Sequence, residues 1–273
     1  MEEIKEEKKR RRHRRRRKQN KDIDWVSTII LVVAMSVFLF ATYKLATIFF
    51  EYQKGTSEYE SLESIVISQE VPSITEKEEV VFKVDFDKLK EINPDVLGWI
   101  RFENPEKISY PVVAGIDNSK YLTTTFEGKY NSAGTLFVDM DNNGDFKDLN
   151  TFIYGHNMKN GSMFSQLRKY KDKDFGIENP YFSIYTPDGK ELQYQIFATC
   201  IVKDTSYSYT KEFNSERAFA DYLEYVRSIA LYQTDVTLNE KDTIVSLSTC
   251  TNVRDDERLL IHAVKIGEKL VEE

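Results

Sequence analysis

The chain of 273 residues is poor in the residues that build metal and redox centres, with only two cysteines and three histidines. Cys200 and Cys250 lie too far apart for a Cys-x-x-Cys redox or zinc motif, and two cysteines make no disulfide framework. A single bond between them stays open, and it would consume both thiols. With so few histidines and no acidic cluster beside His156, a zinc site is not expected. The sequence therefore predicts neither a metal nor a cofactor.

Positive charge is scarce outside residues 1–24. Those residues hold twelve Lys and Arg against six Asp and Glu, a net charge of +6. Because the whole chain has 38 basic and 45 acidic residues, the remainder carries 26 against 39, a net charge of −13. An acidic body argues against a nucleic-acid-binding protein, whose folded part is typically basic. The basic head alone is typical of a disordered tail, a nucleic-acid arm or the cytoplasmic flank of a membrane span.

Only one run is apolar enough to cross a membrane. Residues 25–43 are uncharged, and after Lys44 the apolar character resumes through Phe50. About twenty helical residues span the ~30 Å hydrocarbon core of a bilayer, and the long stem of Lys44 reaches the interface. The run exceeds a signal-peptide core and shows no Ala-x-Ala-like site. We predict a single-pass anchor over residues 25–50, with the basic N-terminus in the cytoplasm and the body outside.

The rest of the chain predicts a stalk followed by one domain of mainly β structure. Residues 51–80 are charged and rich in Ser and Thr, with a helical piece expected around residues 58–68. Residues 81–273 contain short β-like runs separated by turn signals, which predict a closed or nearly closed eight-stranded barrel. The runs are 97–102, 108–113, 134–139, 151–154, 181–186, 191–203, 243–249 and 259–266.

Three helices and one tight turn are predicted among these strands. Residues 85–94 form a short helix that ends at its proline, and residues 162–170 form another. Residues 187–190, Pro-Asp-Gly-Lys, predict a hairpin turn. A longer helix over residues 215–231, capped by Asn214 or Ser215, precedes the cysteine strand. Its apolar face comprises Phe219, Tyr222, Leu223, Val226 and Ala230.

Cys250 is the strongest candidate for chemistry. It ends an apolar, β-branched run, follows Ser248 and Thr249, and precedes a polar loop. Free cysteines are usually buried and inert. A strand that stops on cysteine instead places the sulfur at a sheet edge, within reach of a substrate. We therefore predict that Cys250 is a nucleophile.

His156 and Arg258 are the predicted partners of that thiol. His156 follows a β-run in a Gly- and Asn-rich loop, and imidazole transfers protons near neutral pH. We interpret His13 as part of the tail and His262 as a structural residue of the last strand. Arg258 begins the strand after Cys250, where its planar guanidinium can hold a carbonyl or an oxyanion. A surface salt bridge is its alternative fate, and Arg254, in the middle of the loop, is its competitor.

Residues 139–145 match the opening of an EF-hand calcium loop, Asp-x-Asp-x-Asn-Gly-Asp. The twelfth position is Asn150 rather than Glu, the ninth is Lys147, and β-runs flank the segment. An EF-hand needs its bidentate Glu and its flanking helices. We predict a polar hairpin loop here, with adventitious calcium as the alternative.

Five short motifs, in this order and at this spacing, resemble class B sortases over about residues 85–266. They are Asn93-Pro-Asp-Val-Leu-Gly-Trp-Ile100, Tyr110-Pro-Val-Val113, Tyr154-Gly-His-Asn157, Leu247-Ser-Thr-Cys250 and Asp256-Glu-Arg258. The helix before the cysteine strand resembles the extra helix of class B, and a cytoplasmic tail with a signal-anchor fits the family. Ser246 departs from it, because many sortases have Thr there; the change is conservative.

The resemblance implies a membrane-anchored cysteine transpeptidase on the cell surface. It implies that Cys250 attacks the Thr carbonyl of a C-terminal sorting motif in a secreted protein and forms a thioacyl-enzyme. His156 would protonate the leaving amine and then deprotonate an amine of a peptidoglycan precursor. Arg258 would steady the substrate and the oxyanion, with Thr249 and Ser248 also at the substrate site. Motifs of the Asn-Pro-x-Thr or Ser/Pro-Pro-x-Thr-Gly kind are expected as substrates.

Two other functions remain open from the sequence. A membrane-tethered cysteine hydrolase would use the same thiol and imidazole, with water as the acceptor. A non-catalytic, surface-displayed β-domain that binds a protein or a glycan would leave Cys250 unreactive. Ligation of an added amine would distinguish a transpeptidase from the hydrolase. Lack of any effect of a thiol reagent would indicate the non-catalytic binding domain.

Overall fold

The computed structural model of the protein describes residues 6–7, 25–70, 81–105, 108–115 and 117–271. Most of the predicted basic tail, including His13, and residues 71–80 of the predicted stalk lie outside the described residues. The chain divides into two compact units, residues 1–50 and residues 51–273.

Helix α1, Trp25–Val66, contains the apolar run. Within the first unit its large apolar side chains are exposed, from Trp25 to Phe50, and the helix is long and apolar enough to cross a membrane. The helical piece predicted around residues 58–68 is part of this same helix. It ends at Val66 rather than at residue 68, because Ile67 begins a β-strand.

The end of α1 that belongs to the second unit packs on the barrel domain. Gly55, Tyr59, Leu62 and Val66 are buried, at spacings of four, three and four residues, which is one face of a helix. The backbone at Gly55 comes so close to Asn131 that an added Cβ would lie 3.0 Å from its Oδ1 atom. Residues 51–66 are therefore a structural part of the domain rather than a free stalk.

Eight strands form a closed barrel, which confirms the predicted fold class. The order around the barrel is β10-β8-β7-β3-β4-β5-β6-β9, and β1 and β2 form a separate two-stranded sheet that the sequence did not predict. The strands are β1 Ile67–Glu70, β2 Val81–Val84, β3 Val96–Arg101, β4 Ser109–Ala114, β5 Leu136–Val138, β6 Asn150–Tyr154, β7 Tyr181–Tyr185, β8 Lys190–Lys203, β9 Ile244–Cys250 and β10 Glu257–Leu270.

Strand β9 lies between β6, to which it runs parallel, and β10, to which it runs antiparallel. All its residues but the last are buried, as expected of a strand covered on both faces. One face contributes Val245 and Leu247 to the barrel core. On the opposite side, Ile244 belongs to a second core beneath the helix that precedes β9.

The short helices and helical turns among the described residues were predicted only in part. Helix α2, Phe86–Ile92, is capped by Asp85, and the 3₁₀ helix Phe164–Lys171 occupies the second predicted position. Helix α3, Lys173–Glu178, was not predicted. The 3₁₀ turns Lys120–Leu122 and Tyr207–Tyr209 were also missed, because three-residue turns carry no hydrophobic periodicity.

Helix α4, Glu216–Ser228, covers the outer side of β8, β9 and β10. Its cap is Ser215, whose hydroxyl accepts from the backbone N–H of Ala218 at 3.1 Å. The helix ends earlier than predicted, so Ala230 lies beyond it and is only half-buried. The other predicted face residues, Phe219, Tyr222, Leu223 and Val226, are buried in the second core.

We expect Leu62→Ala to lower the free energy of unfolding of the barrel by about 2–5 kcal/mol, because it leaves a cavity beneath α1. Ile65→Ala, on the exposed side of the same helix, is the matched control and should change it by less than about 0.5 kcal/mol. Urea titration of the full-length protein in detergent measures both. Equal, small effects would mean that residues 51–66 do not stabilise the domain.

Candidate active site

Strand register brings Cys250 level with residues of both neighbouring strands. On one side the antiparallel ladder pairs Arg258 of β10 directly with Cys250. On the other side the parallel ladder pairs Tyr154 of β6 with Ser248. Two residues beyond this pair on each strand, His156, which follows β6, comes to the level of Cys250 on β9. Since neighbouring strands lie about 4.8 Å apart, three residues distant in sequence form one row.

Two hydrogen bonds hold the histidine loop against β9 after β6 has ended. The N–H of Gly155 donates to the carbonyl oxygen of Ser248 at 3.1 Å. The side-chain amide of Asn157 donates to the carbonyl oxygen of Cys250 at 2.8 Å. The residues on each side of His156 are therefore fixed to the last residues of the cysteine strand. Sequence reasoning missed this role of Asn157, although it noted the motif that contains it.

The imidazole of His156 is held by one backbone group. Its Nε2 atom lies 2.7 Å from the carbonyl oxygen of Leu122. A carbonyl can only accept, so Nε2 carries a proton, and in the neutral ring the lone pair is on Nδ1. The atom of His156 that can exchange a proton with a substrate is therefore Nδ1.

Arg258 makes three contacts at the start of β10. One terminal nitrogen donates to the carbonyl oxygens of Asp255 at 2.6 Å and Glu257 at 3.2 Å. The other lies 3.2 Å from a carboxylate oxygen of Asp204, just after β8. This ion pair is partly exposed, so its net contribution to stability is small. The competing Arg254 is exposed in the loop and does not line the cleft described next.

The three predicted residues line one cleft with a volume of about 420 Å³. Cys250 is half-buried there, whereas Cys200 is fully buried. The other residues that line the cleft are Asn118, Leu122, Thr135, Phe137, Tyr154, Gly155, Asp204, Tyr209, Ser248 and Thr249. A volume of this size suits an extended peptide segment of a few residues.

Tyr209 is a cleft residue that the sequence analysis missed. It belongs to the 3₁₀ turn Tyr207–Tyr209, and its hydroxyl lies 2.8 Å from that of Ser248. Burial raises the pKa of Tyr209 to about 12, so the hydroxyl stays protonated at neutral pH. An aromatic residue in a loop far from the motif gives no signal in a single sequence.

The two remaining predicted site residues differ in their surroundings. Ser248 is buried and engaged with Tyr209, so its hydroxyl already has a partner. Thr249 is also buried, but its Oγ1 atom has no hydrogen-bond partner among the described residues. Both line the cleft beside Cys250.

Cys200 and His262 lie in the second core, away from the cleft. Burial raises the pKa of the Cys200 thiol to about 12, and its sulfur donates weakly to the carbonyl of Val226. Both cysteines are free, so the disulfide left open above is not formed. His262 is fully buried, and its Nδ1 atom lies 2.7 Å from the hydroxyl of Ser246. These positions agree with a structural role for His262.

The segment that resembled a calcium loop is held by protein contacts. Asp139 is buried; Lys211 contacts one carboxylate oxygen at 2.8 Å, and the hydroxyl of Tyr154 donates to the other at 2.7 Å. Burial opposes ionisation, but these hydrogen bonds hold the pKa of Asp139 below its ordinary value. Lys211 also pairs with Asp141. Lysine thus occupies the position that a cation would take, and no group of three possible metal ligands occurs among the described residues.

Comparisons with known proteins agree on one family. A family model described as the sortase domain matches residues 103–266. The chain is 34% identical to sortase B of Listeria monocytogenes over 232 residues, which are 83% of this chain and 90% of that protein. Sortase B of Clostridium perfringens has a similar structure, with a TM-score of 0.63, 33% identity and coverage of 67% of this chain and all of the other. Sortase B of Bacillus anthracis, solved with AAEK1, gives a TM-score of 0.67 and 29% identity, covering 80% and 99%.

The surroundings of His262 predict a pH-dependent stability. Burial lowers its pKa to about 3, whereas an unfolded histidine takes up a proton near pH 6.5. The free energy of unfolding is therefore unaffected by protonation of His262 above pH 6.5. As the pH falls from 6.5 towards 3, protonation of His262 in the unfolded chain lowers this free energy by about 1.4 kcal/mol per pH unit.

His262→Asn, which keeps a polar atom near Ser246, should remove that part of the pH dependence. Urea titrations of both proteins between pH 7 and pH 4 measure the difference, since the carboxylates titrate alike in both. Parallel curves for the two proteins would show that His262 is not held neutral in the fold.

Proposed function

The chain belongs to the sortase family, as a class B sortase and hence a cysteine transpeptidase, and we propose that Cys250, His156 and Arg258 are its catalytic residues. The observation that supports this assignment is the row across β6, β9 and β10, with all three side chains on one cleft. Cys200 does not suit the role of nucleophile, because it is fully buried and its pKa is raised.

Acylation begins with the Cys250 thiolate, which attacks the carbonyl carbon of the Thr in a sorting motif. The C–N bond after this Thr breaks, and the departing amine takes a proton from Nδ1 of the His156 imidazolium. A thioester between the Thr acyl group and Cys250 remains. Because Nε2 stays bound to the Leu122 carbonyl throughout, the ring keeps one orientation while Nδ1 exchanges the proton.

Deacylation reverses these roles with a new amine. The acceptor amine attacks the thioester carbonyl and gives a proton to Nδ1 of His156. The C–S bond then breaks, the new amide forms, and Cys250 leaves as the thiolate. We assign the acceptor to a peptidoglycan precursor. A hydrolase would use water at this step, so the identity of the second nucleophile separates the two activities.

Arg258 stabilises the negative charge that develops on the carbonyl oxygen in both steps. It lies directly opposite Cys250 in the ladder, on the same face of the sheet. Asp204 and two backbone carbonyls now hold its guanidinium. A bound peptide would replace part of these contacts. The hydroxyl of Thr249, which is buried and has no partner within the described part of the chain, is a proposed further donor, and Ser248 borders the substrate site.

The substrates of a sortase are proteins that bear sorting motifs, and sortases are enzymes of the cell surface. The apolar part of α1 is a candidate membrane anchor. In this proposal residues 1–24 are a cytoplasmic tail, residues 25–50 cross the membrane once, and residues 81–273 form the extracellular catalytic domain. Residues 51–80 connect them, and the helical part of this segment packs on the barrel.

Cys250→Ala should abolish the thioacyl adduct with a sorting-motif peptide, because the nucleophile is lost. Cys200→Ala, the matched control at the other cysteine, should keep adduct formation, since that thiol does not line the cleft. Mass spectrometry of the full-length protein with a panel of peptides measures the adduct, and an added amine should yield ligated peptide. Peptide turnover by Cys250→Ala at the wild-type rate would refute the assignment.

Arg258→Lys should lower kcat/KM by about 10²–10³, the typical effect of removing one oxyanion donor. Lysine keeps the charge but loses the planar fork that spans two acceptors. Arg254→Lys makes the same change four residues earlier, on an exposed residue outside the cleft, and should leave kcat/KM within about twofold. Equal effects of the two substitutions would exclude a specific role for Arg258.

A further inference from the structure

Tyr59, on the buried face of α1, contacts a loop that borders the cleft. Its side chain is buried, and the burial raises its pKa, so the hydroxyl remains a donor. This hydroxyl donates to the carbonyl oxygen of Gly134 at 2.5 Å and accepts from the N–H of Phe126 at 3.3 Å. It also lies 3.1 Å from the hydroxyl of Thr135. One phenol therefore contacts a single loop at two places, at Phe126 and at the neighbouring residues Gly134 and Thr135.

The loop in question, residues 121–135, forms one side of the cleft. Leu122 and Thr135 line the cleft, and the carbonyl of Leu122 accepts the proton of His156 Nε2. The loop is closed by a backbone bond from the N–H of Thr135 to the carbonyl of Tyr121 at 3.0 Å. A contact that fixes Thr135 therefore also fixes Tyr121 and the next residue, Leu122, whose carbonyl faces the imidazole.

A second set of contacts leads from the same residue to the histidine loop. The ring of Tyr59 packs edge-on against that of Tyr110, with centroids 5.4 Å apart. The hydroxyl of Tyr110 accepts from the N–H of Met163 at 3.1 Å. Met163 pairs with Asn157 across the histidine loop, and the N–H of the next residue, Phe164, donates to the carbonyl of His156 at 3.0 Å.

We infer that Tyr59 is a positioning residue, which holds the loop of Leu122 and the loop of His156 in the geometry that aligns the imidazole with Cys250. This inference rests on the proposed role of His156 in proton transfer. Tyr59 contacts neither the thiol nor the imidazole, so it acts only through the two loops. The last turns of the helix that contains the apolar run are therefore a functional support of the cleft.

Tyr59→Phe tests this inference, because it removes the hydroxyl and keeps the ring on Tyr110. The chain has only three histidines, so the full-length protein in detergent with ¹³C-labelled histidine rings gives three ring signals. The signal of His156 should move, while that of His262, buried in the second core, should stay. A loop displaced by about 1 Å can cost up to a hundredfold, so kcat/KM should fall about tenfold to a hundredfold.

Tyr130→Phe is the matched control, since Tyr130 lies in the same loop but its side chain is 81% exposed. It should change neither the His156 signal nor kcat/KM. An unchanged His156 signal in Tyr59→Phe would overturn the inference, and so would equal shifts of His156 and His262, which indicate general loosening. If Tyr59→Phe does not fold, Tyr110→Phe, which removes only the bond to Met163, must move the His156 signal alone. The signal tests positioning even if Cys250 proves not to be the nucleophile.

Discussion

The parallel pairing of β6 with β9 is the constraint on which the rest of the site depends. Parallel strands keep a fixed register along their length, so the level of every residue beyond Tyr154 follows from its pairing with Ser248. The bonds from Gly155 and Asn157 to β9 extend this register past the end of the strand. A one-residue slip would turn the side chains of β9 to the opposite face of the sheet.

A buried polar network, on the side of the sheet that α4 covers, also fixes the register of β6 and β9. Asn150, at the start of β6, accepts from the hydroxyl of Ser246 on β9 at 2.7 Å. Its amide donates to the hydroxyl of Tyr222 on α4 and to the carbonyl of Thr210, both at 2.9 Å. His262 completes the network from β10. Through these hydrogen bonds the network links both neighbours of β9, the helix above it and the segment that carries Tyr209.

The residues of the candidate site that could be proposed from the sequence are those whose signal is local. Cys250 and Arg258 stand at an end and a start of β-runs, and His156 stands just beyond another, so each was visible in a window of ten residues. Leu122 and Asp204 were not visible, because their roles arise from contacts over 34 and 54 residues of sequence separation. The continuity of α1 was missed for a related reason. A charged, Ser-rich segment suggests a stalk until its burial against the barrel is known.

A crystal structure of the thioacyl-enzyme with a sorting-motif peptide would show whether Cys250, His156 and Arg258 act together on the acyl group. The distances to measure run from the acyl group on Cys250 to the imidazole of His156 and to the guanidinium of Arg258. We expect the acyl oxygen to lie about 2.7–3.2 Å from a nitrogen of Arg258, with Nδ1 of His156 facing the thioester carbon. An acyl group on another residue, or an oxyanion site filled while Arg258 remains on Asp204, would contradict it.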